Sequence, residues 1–120
     1  MPTTRIIDRP ARIVEIVWAY AATPDDFDRI NDEIKRFSEE LGGSFDVLVD
    51  MRTVKAFKPE LQAKLVEHQK AIKLYGMKRA AVVTAGSIAR LQLNRTAKQS
   101  EHTTETQWDD YAEALAFLKL

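Results

Sequence analysis

Three short apolar runs constrain this chain more than any other feature. They are Ile13-Val14-Glu15-Ile16-Val17-Trp18-Ala19-Tyr20, Phe45-Asp46-Val47-Leu48-Val49-Asp50 and Ala80-Ala81-Val82-Val83-Thr84. All are rich in β-branched or aromatic residues and have strand length. The first and third are apolar on nearly both faces, the pattern of strands covered on both sides, as in parallel sheets. Helical periodicity fills the intervals between them. Thr23 is placed to cap the first helix, Pro24 suits its first position, and Asp26 completes a capping-box-like Thr-x-x-Asp. Phe27, Ile30, Ile34, Phe37 and Leu41 then recur on one helical face, and Gly42-Gly43 ends the helix. After a loop over Met51 to Lys58, Pro59 opens a second helix with an apolar stripe of Leu61, Leu65, Ile72 and Tyr75, ended by Gly76.

The flanking segments complete the order. Thr4 to Asp8 reads as a weaker strand, joined to the first run through a turn at Arg9-Pro10, and the proline places it at a sheet edge. Gly86-Ser87 turns the chain into a third helix bearing Ile88, Leu91 and Leu93, with Ser87 as N-cap. Thr103 to Trp108 is a weak polar strand, and Asp110 to Leu118 a short closing helix burying some of Tyr111, Ala114, Leu115 and Leu118. The expected architecture is therefore one α/β domain over residues 1–120 in the order β-β-α-β-α-β-α-β-α. Its sheet is mostly parallel, of about five strands with an antiparallel N-terminal edge strand, and the helices pack on it.

Composition narrows the function classes. A chain of 120 residues with 45% hydrophobic and 30% charged residues is of ordinary globular make-up, with room for one core. It has no cysteine, so disulfides, thiolate metal sites and cysteine nucleophiles are out, and the reducing cytoplasm is the expected compartment. No apolar run suits a signal peptide or a membrane span. Net charge is zero but segregated: seven acids against three bases from Asp25 to Glu40, eight bases against two acids from Arg52 to Arg79, and five acids against one lysine from Glu101 onward. Solvated helix faces of different sign account for this, although the same segregation can steer an anionic partner. The basic segment interleaves only Phe57 and Tyr75, too few stacking aromatics for a nucleic-acid surface, so no nucleic-acid partner is expected.

No catalytic constellation stands out. Neither G-x-G-x-x-G nor G-x-x-x-x-G-K-[ST] occurs, and Ala21-Ala22-Thr23-Pro24 carries too many side chains to cradle a pyrophosphate. His68 falls in line with Leu65 and Ile72 and is expected to be structural, at the edge of that helix's packing face; His102 is expected to be exposed. The two lie too far apart for a metal signature, and no cofactor or metal is expected. One location has positional logic, since ligands of parallel α/β sheets settle where strands end and helices begin. There Arg52, Lys58, Ser87 and Arg90 form a candidate anion site, Ser87 at a helix start whose amides and dipole favour negative charge.

With this order of elements, the chain resembles the STAS-like superfamily, the fold of bacterial anti-sigma-factor antagonists, and its relatives grouped with CRAL-TRIO lipid-binding domains. The resemblance runs through Ile13 to Trp18 followed by Thr-Pro-Asp-Asp, Phe45-Asp46-Val47-Leu48-Val49-Asp50-Met51-Arg52, Tyr75-Gly76-Met77-Lys78-Arg79-Ala80-Ala81-Val82-Val83, and Glu113-Ala114-Leu115-Ala116-Phe117-Leu118. It implies a regulatory module whose signalling members carry a phosphorylatable serine in a D-S-S-G-like turn at a helix start. Asp50 matches the strand-ending aspartate, and Val54 and Phe57 the apolar positions after it. The turn itself falls on Lys58-Pro59-Glu60-Leu61, which has no hydroxyl. The expectation is a non-catalytic interaction module without that switch, binding a protein partner or a second copy of itself. The alternative is a small-ligand protein holding an anion or a lipid at the strand C-terminal ends, with a shallow groove rather than an enclosed cavity.

Overall fold

A computed structural model describes residues 2–19, 22–54, 58–85 and 105–120 of the chain. Its sheet has five strands in the order β1-β2-β3-β4-β5: β1 (Thr3–Asp8), β2 (Ile13–Val17), β3 (Phe45–Met51), β4 (Met77–Thr84) and β5 (Glu105–Trp108). β1 pairs antiparallel with β2, and all later pairs are parallel. The α/β architecture and the antiparallel edge strand expected from sequence are both present. The helices are α1 (Pro24–Glu40), α2 (Gln62–Leu74), entered through a 3₁₀ turn at Pro59–Leu61, and α3 (Tyr111–Leu118). The helix expected from Ser87 lies outside the described residues, as does His102.

Strand alternation divides the core in two. Val14, Ile16, Val47, Val49, Met51, Ala80 and Val82 face α1 and α2 and meet Phe27, Ile30, Ile34, Leu65 and Ile72. Ile13, Leu48, Ala81 and Val83 point the other way, toward Ala114 and Leu118 of α3. β2, β3 and β4 are thus covered on both faces, which is why their sequences read as nearly unbroken apolar runs. The two cores differ in weight. Phe27, Ile30 and Ile34 are fully buried, and at about 1.5–3 kcal/mol each they anchor α1 firmly. α3 buries only Ala114 and Leu118, so its seating depends more on polar ties at its two ends.

Local chemistry fixes the helix boundaries. At α1 the Asp26 amide donates to Thr23 Oγ1 at 3.3 Å and the Thr23 amide to Asp26 Oδ2 at 2.8 Å, a complete capping box. The backbone donor at Thr23 holds the Asp26 carboxyl below its usual range. At the other end, Ser38 Oγ donates to the Tyr75 carbonyl at 2.5 Å, tying α1 to the exit of α2. Gly76 follows with φ +109°, where an added Cβ would lie 2.0 Å from the Gly43 carbonyl oxygen. Only glycine fits that crossing of the two loops.

Candidate functional site

The C-terminal ends of β2 and β3 carry a linked set of charged and aromatic side chains on the α3 face. Glu15 is the seed: a carboxylate within an apolar strand, with its side chain only 6% exposed. Burying a charge there requires partners, and two elements supply them. From β1, Arg5 Nε donates to Glu15 Oε1 at 2.8 Å; from the start of α3, the Tyr111 hydroxyl donates to Glu15 Oε2. Burial, followed by the Glu15 contact, pushes the Tyr111 hydroxyl up to about 12, so it remains a donor at neutral pH. The Arg52 guanidinium lies over the Tyr111 ring, 5.0 Å from its centroid. Its Nε and Nη2 donate to the two Asp50 oxygens at 3.0 and 2.8 Å. That fork holds the Asp50 carboxyl below the usual carboxylate range.

Of the residues expected to form an anion site, Arg52 therefore stands at the end of β3 with its fork on Asp50. Lys58 is exposed at the entrance to the 3₁₀ turn, where no side chain caps the first amides. Ser87 and Arg90 lie outside the described residues. Glu15, Tyr111 and Arg5 were not singled out from sequence. The usable signal was Glu15 itself, a carboxylate interrupting a run too apolar to leave it in water.

A second polar cluster lies under the α2 face. His68 is 3% exposed, buried rather than at the edge of the packing face. Its Nδ1–H donates to Asn31 Oδ1 at 2.6 Å, and its ring meets Trp18 edge-on with centroids 5.4 Å apart. His68, Gln69 and Glu105 border a cavity of about 20 Å³ otherwise walled by Trp18, Leu65, Ile72 and Val82. Such a volume holds at most a water molecule. Desolvation there pushes the Glu105 carboxyl up to about 7, and Gln69 Nε2 donates to its Oε2 at 3.4 Å.

A third pair ties down the far end of α3. Arg79 Nη2 donates both to Asp46 Oδ2 at 2.8 Å and to the Leu118 carbonyl at 2.9 Å. α3 is thus held by Glu15 at its first residue and by Arg79 at its last, which supplies the polar ties its thin apolar contact requires.

Among the described residues, no group of three or more His, Asp or Glu side chains is arranged to hold a metal ion, and no helix is long and apolar enough to cross a membrane. No family model matches this chain, and neither a curated protein nor a solved structure matches it at a significant level.

Proposed function

We propose that this chain is a non-catalytic interaction module of the STAS-like type, without the phosphorylatable serine turn, that binds a protein partner through the rim formed by Arg52 and the Lys58–Glu60 turn. One observation carries the reading: the ionisable groups at the strand ends are matched within the fold. Arg52 forks onto Asp50, and Glu15 accepts from Tyr111 and Arg5. Side chains held this way make a rigid surface rather than a set of free acids and bases poised for proton transfer. At the entrance to α2 Lys58, Pro59 and Glu60 are exposed, carrying charges of both signs on the turn that the resemblance matches to the switch of the signalling members. A cytoplasmic setting fits a cysteine-free chain.

The test compares wild type with a Lys58→Glu/Glu60→Lys exchange, both shown to be folded by circular dichroism. Captures from native lysate are quantified, and the captured protein is then mixed back with each purified form. A partner that binds wild type and is released by the exchange is the expected result. A wild-type protein that captures nothing above the control, or a partner indifferent to the exchange, would overturn the reading.

A further inference from the structure

The opposite end of the sheet, where β2, β3 and β4 begin, holds an open cleft of about 400 Å³. Its walls include Arg12, Ser44, Asp46, Lys78 and Arg79, with Phe45 behind them. Two backbone irregularities converge on it. Arg12 ends the β1–β2 turn with φ +56°, the only non-glycine residue at positive φ among those described. It is fixed there by its own amide, which donates to the Arg9 carbonyl at 3.1 Å, and by the Asp46 amide, which donates to its carbonyl at 2.8 Å. Hairpin turns of this kind favour glycine or asparagine at the left-handed position. An arginine there keeps a backbone strain that glycine would relieve.

The second irregularity is in the β3–β4 ladder. Phe45 pairs with Met77 but Val47 with Ala80, so β4 carries one extra residue at Lys78–Arg79 opposite Asp46. The Arg79 amide there donates to the Asp46 side chain at 3.1 Å. Bulges of this sort re-aim side chains, and here the result is two consecutive basic residues lining one cleft. Arg79 neutralises Asp46. Arg12 and Lys78 have no carboxylate partner among the described residues, unlike most of the described arginines. With Asp46 and Arg79 cancelling, the cleft carries two uncompensated positive charges beside the Ser44 hydroxyl.

We propose that this cleft is a binding site for a phosphate-type dianion, with Arg12 and Lys78 supplying the charge, Ser44 a hydroxyl, and the neutralised Asp46–Arg79 pair the floor. Two free cations match a dianion in charge, and the guanidinium fork of Arg12 suits planar pairs of anionic oxygens. The volume falls within the range of small-molecule sites and suits an organic phosphate monoester as well as free phosphate. The cleft lies across the sheet from the rim of the proposed partner surface, so either assignment can fail without the other.

The test titrates the isotope-labelled protein with ribose 5-phosphate, inorganic phosphate and neutral ribose, following amide resonances. Saturable shifts at Arg12, Ser44, Lys78 and Arg79 are expected with the phosphates and none with ribose. Tighter binding of ribose 5-phosphate would support a site for organic monoesters, and equal binding a site for free phosphate. Arg12→Gly and Lys78→Gln should each weaken binding roughly tenfold, as expected for loss of one charge-assisted contact. Because glycine suits the positive φ, Arg12→Gly should do so with an unchanged or higher Tm, separating binding from folding. The proposal is overturned if neither phosphate saturates by about 10 mM, an affinity too weak to count as a site, if the shifts fall elsewhere, or if both variants bind like wild type.

Discussion

Replacing Glu105 with glutamine should stabilise the protein above neutral pH and have little effect in mild acid. The carboxyl sits at the start of β5 beside His68 and Gln69 in the small cavity under α2. Desolvation pushes it from 4.5 up to about 7. An acid raised in the folded state binds its proton more tightly there than in the unfolded chain, so folding is increasingly disfavoured as pH climbs from 4.5 to about 7. Each pKa unit corresponds to about 1.4 kcal/mol. The full penalty is therefore about 3 kcal/mol, of which about 2–3 kcal/mol develops between pH 5 and pH 8. Glutamine is neutral at every pH, and its carbonyl oxygen can still accept from Gln69 Nε2. Urea unfolding of wild type and Glu105→Gln at both pH values reads the term as the change in their stability difference with pH, because the groups away from this cavity are common to both proteins and cancel. The variant should gain about 2–3 kcal/mol over wild type on going from pH 5 to pH 8. A difference that stays constant with pH, or one that favours wild type at pH 8, would refute the desolvation argument.

The remaining predictions concern the ties that hold α3 and the loops. Tyr111→Phe removes the hydroxyl that donates to buried Glu15 and should destabilise by about 1–3 kcal/mol in chemical denaturation, the cost of an under-satisfied buried acceptor. The Tyr111 hydroxyl is raised from 10.0 to about 12, so its protonated form is favoured in the native state. Wild type should accordingly lose stability from this group as pH passes through that window, and Tyr111→Phe should not. Gly76→Ala, which drives a Cβ into the Gly43 carbonyl at φ +109°, should cost about 2–4 kcal/mol and lower Tm well below that of a surface substitution. Arg52→Ala breaks an ion pair whose arginine is 51% exposed and should shift urea stability by less than about 1 kcal/mol. In the same variant the Asp50 carboxyl, now without its fork, should titrate higher by NMR.

What the sequence disclosed and what it withheld follow one rule. β2, β3 and β4 were legible because covering a strand on both faces leaves an apolar run in the sequence, and α1 because Thr23 and Asp26 form a capping box with only local partners. Arg52 was legible as a strand-end residue. Its pairing with Asp50, only two residues away, was within reach of the same reading, and it shows that a basic residue at a strand end is not thereby a free anion ligand. Glu15, Asp46 and Asp50 interrupt apolar runs, and that interruption was the available clue, because a carboxylate in a covered strand must meet a donor. For Glu15 and Asp46 the donors were out of reach: Tyr111 is 96 residues from Glu15 and Arg79 is 33 from Asp46, and only the fold brings them together. The cleft behind Arg12 was further hidden, since a positive φ at an arginine and an extra residue in one strand leave no compositional trace. The charged residues embedded in strands are thus where the sequence poses a definite question, and the positions where the backbone departs from its regular path are where the fold answers something the sequence never asked.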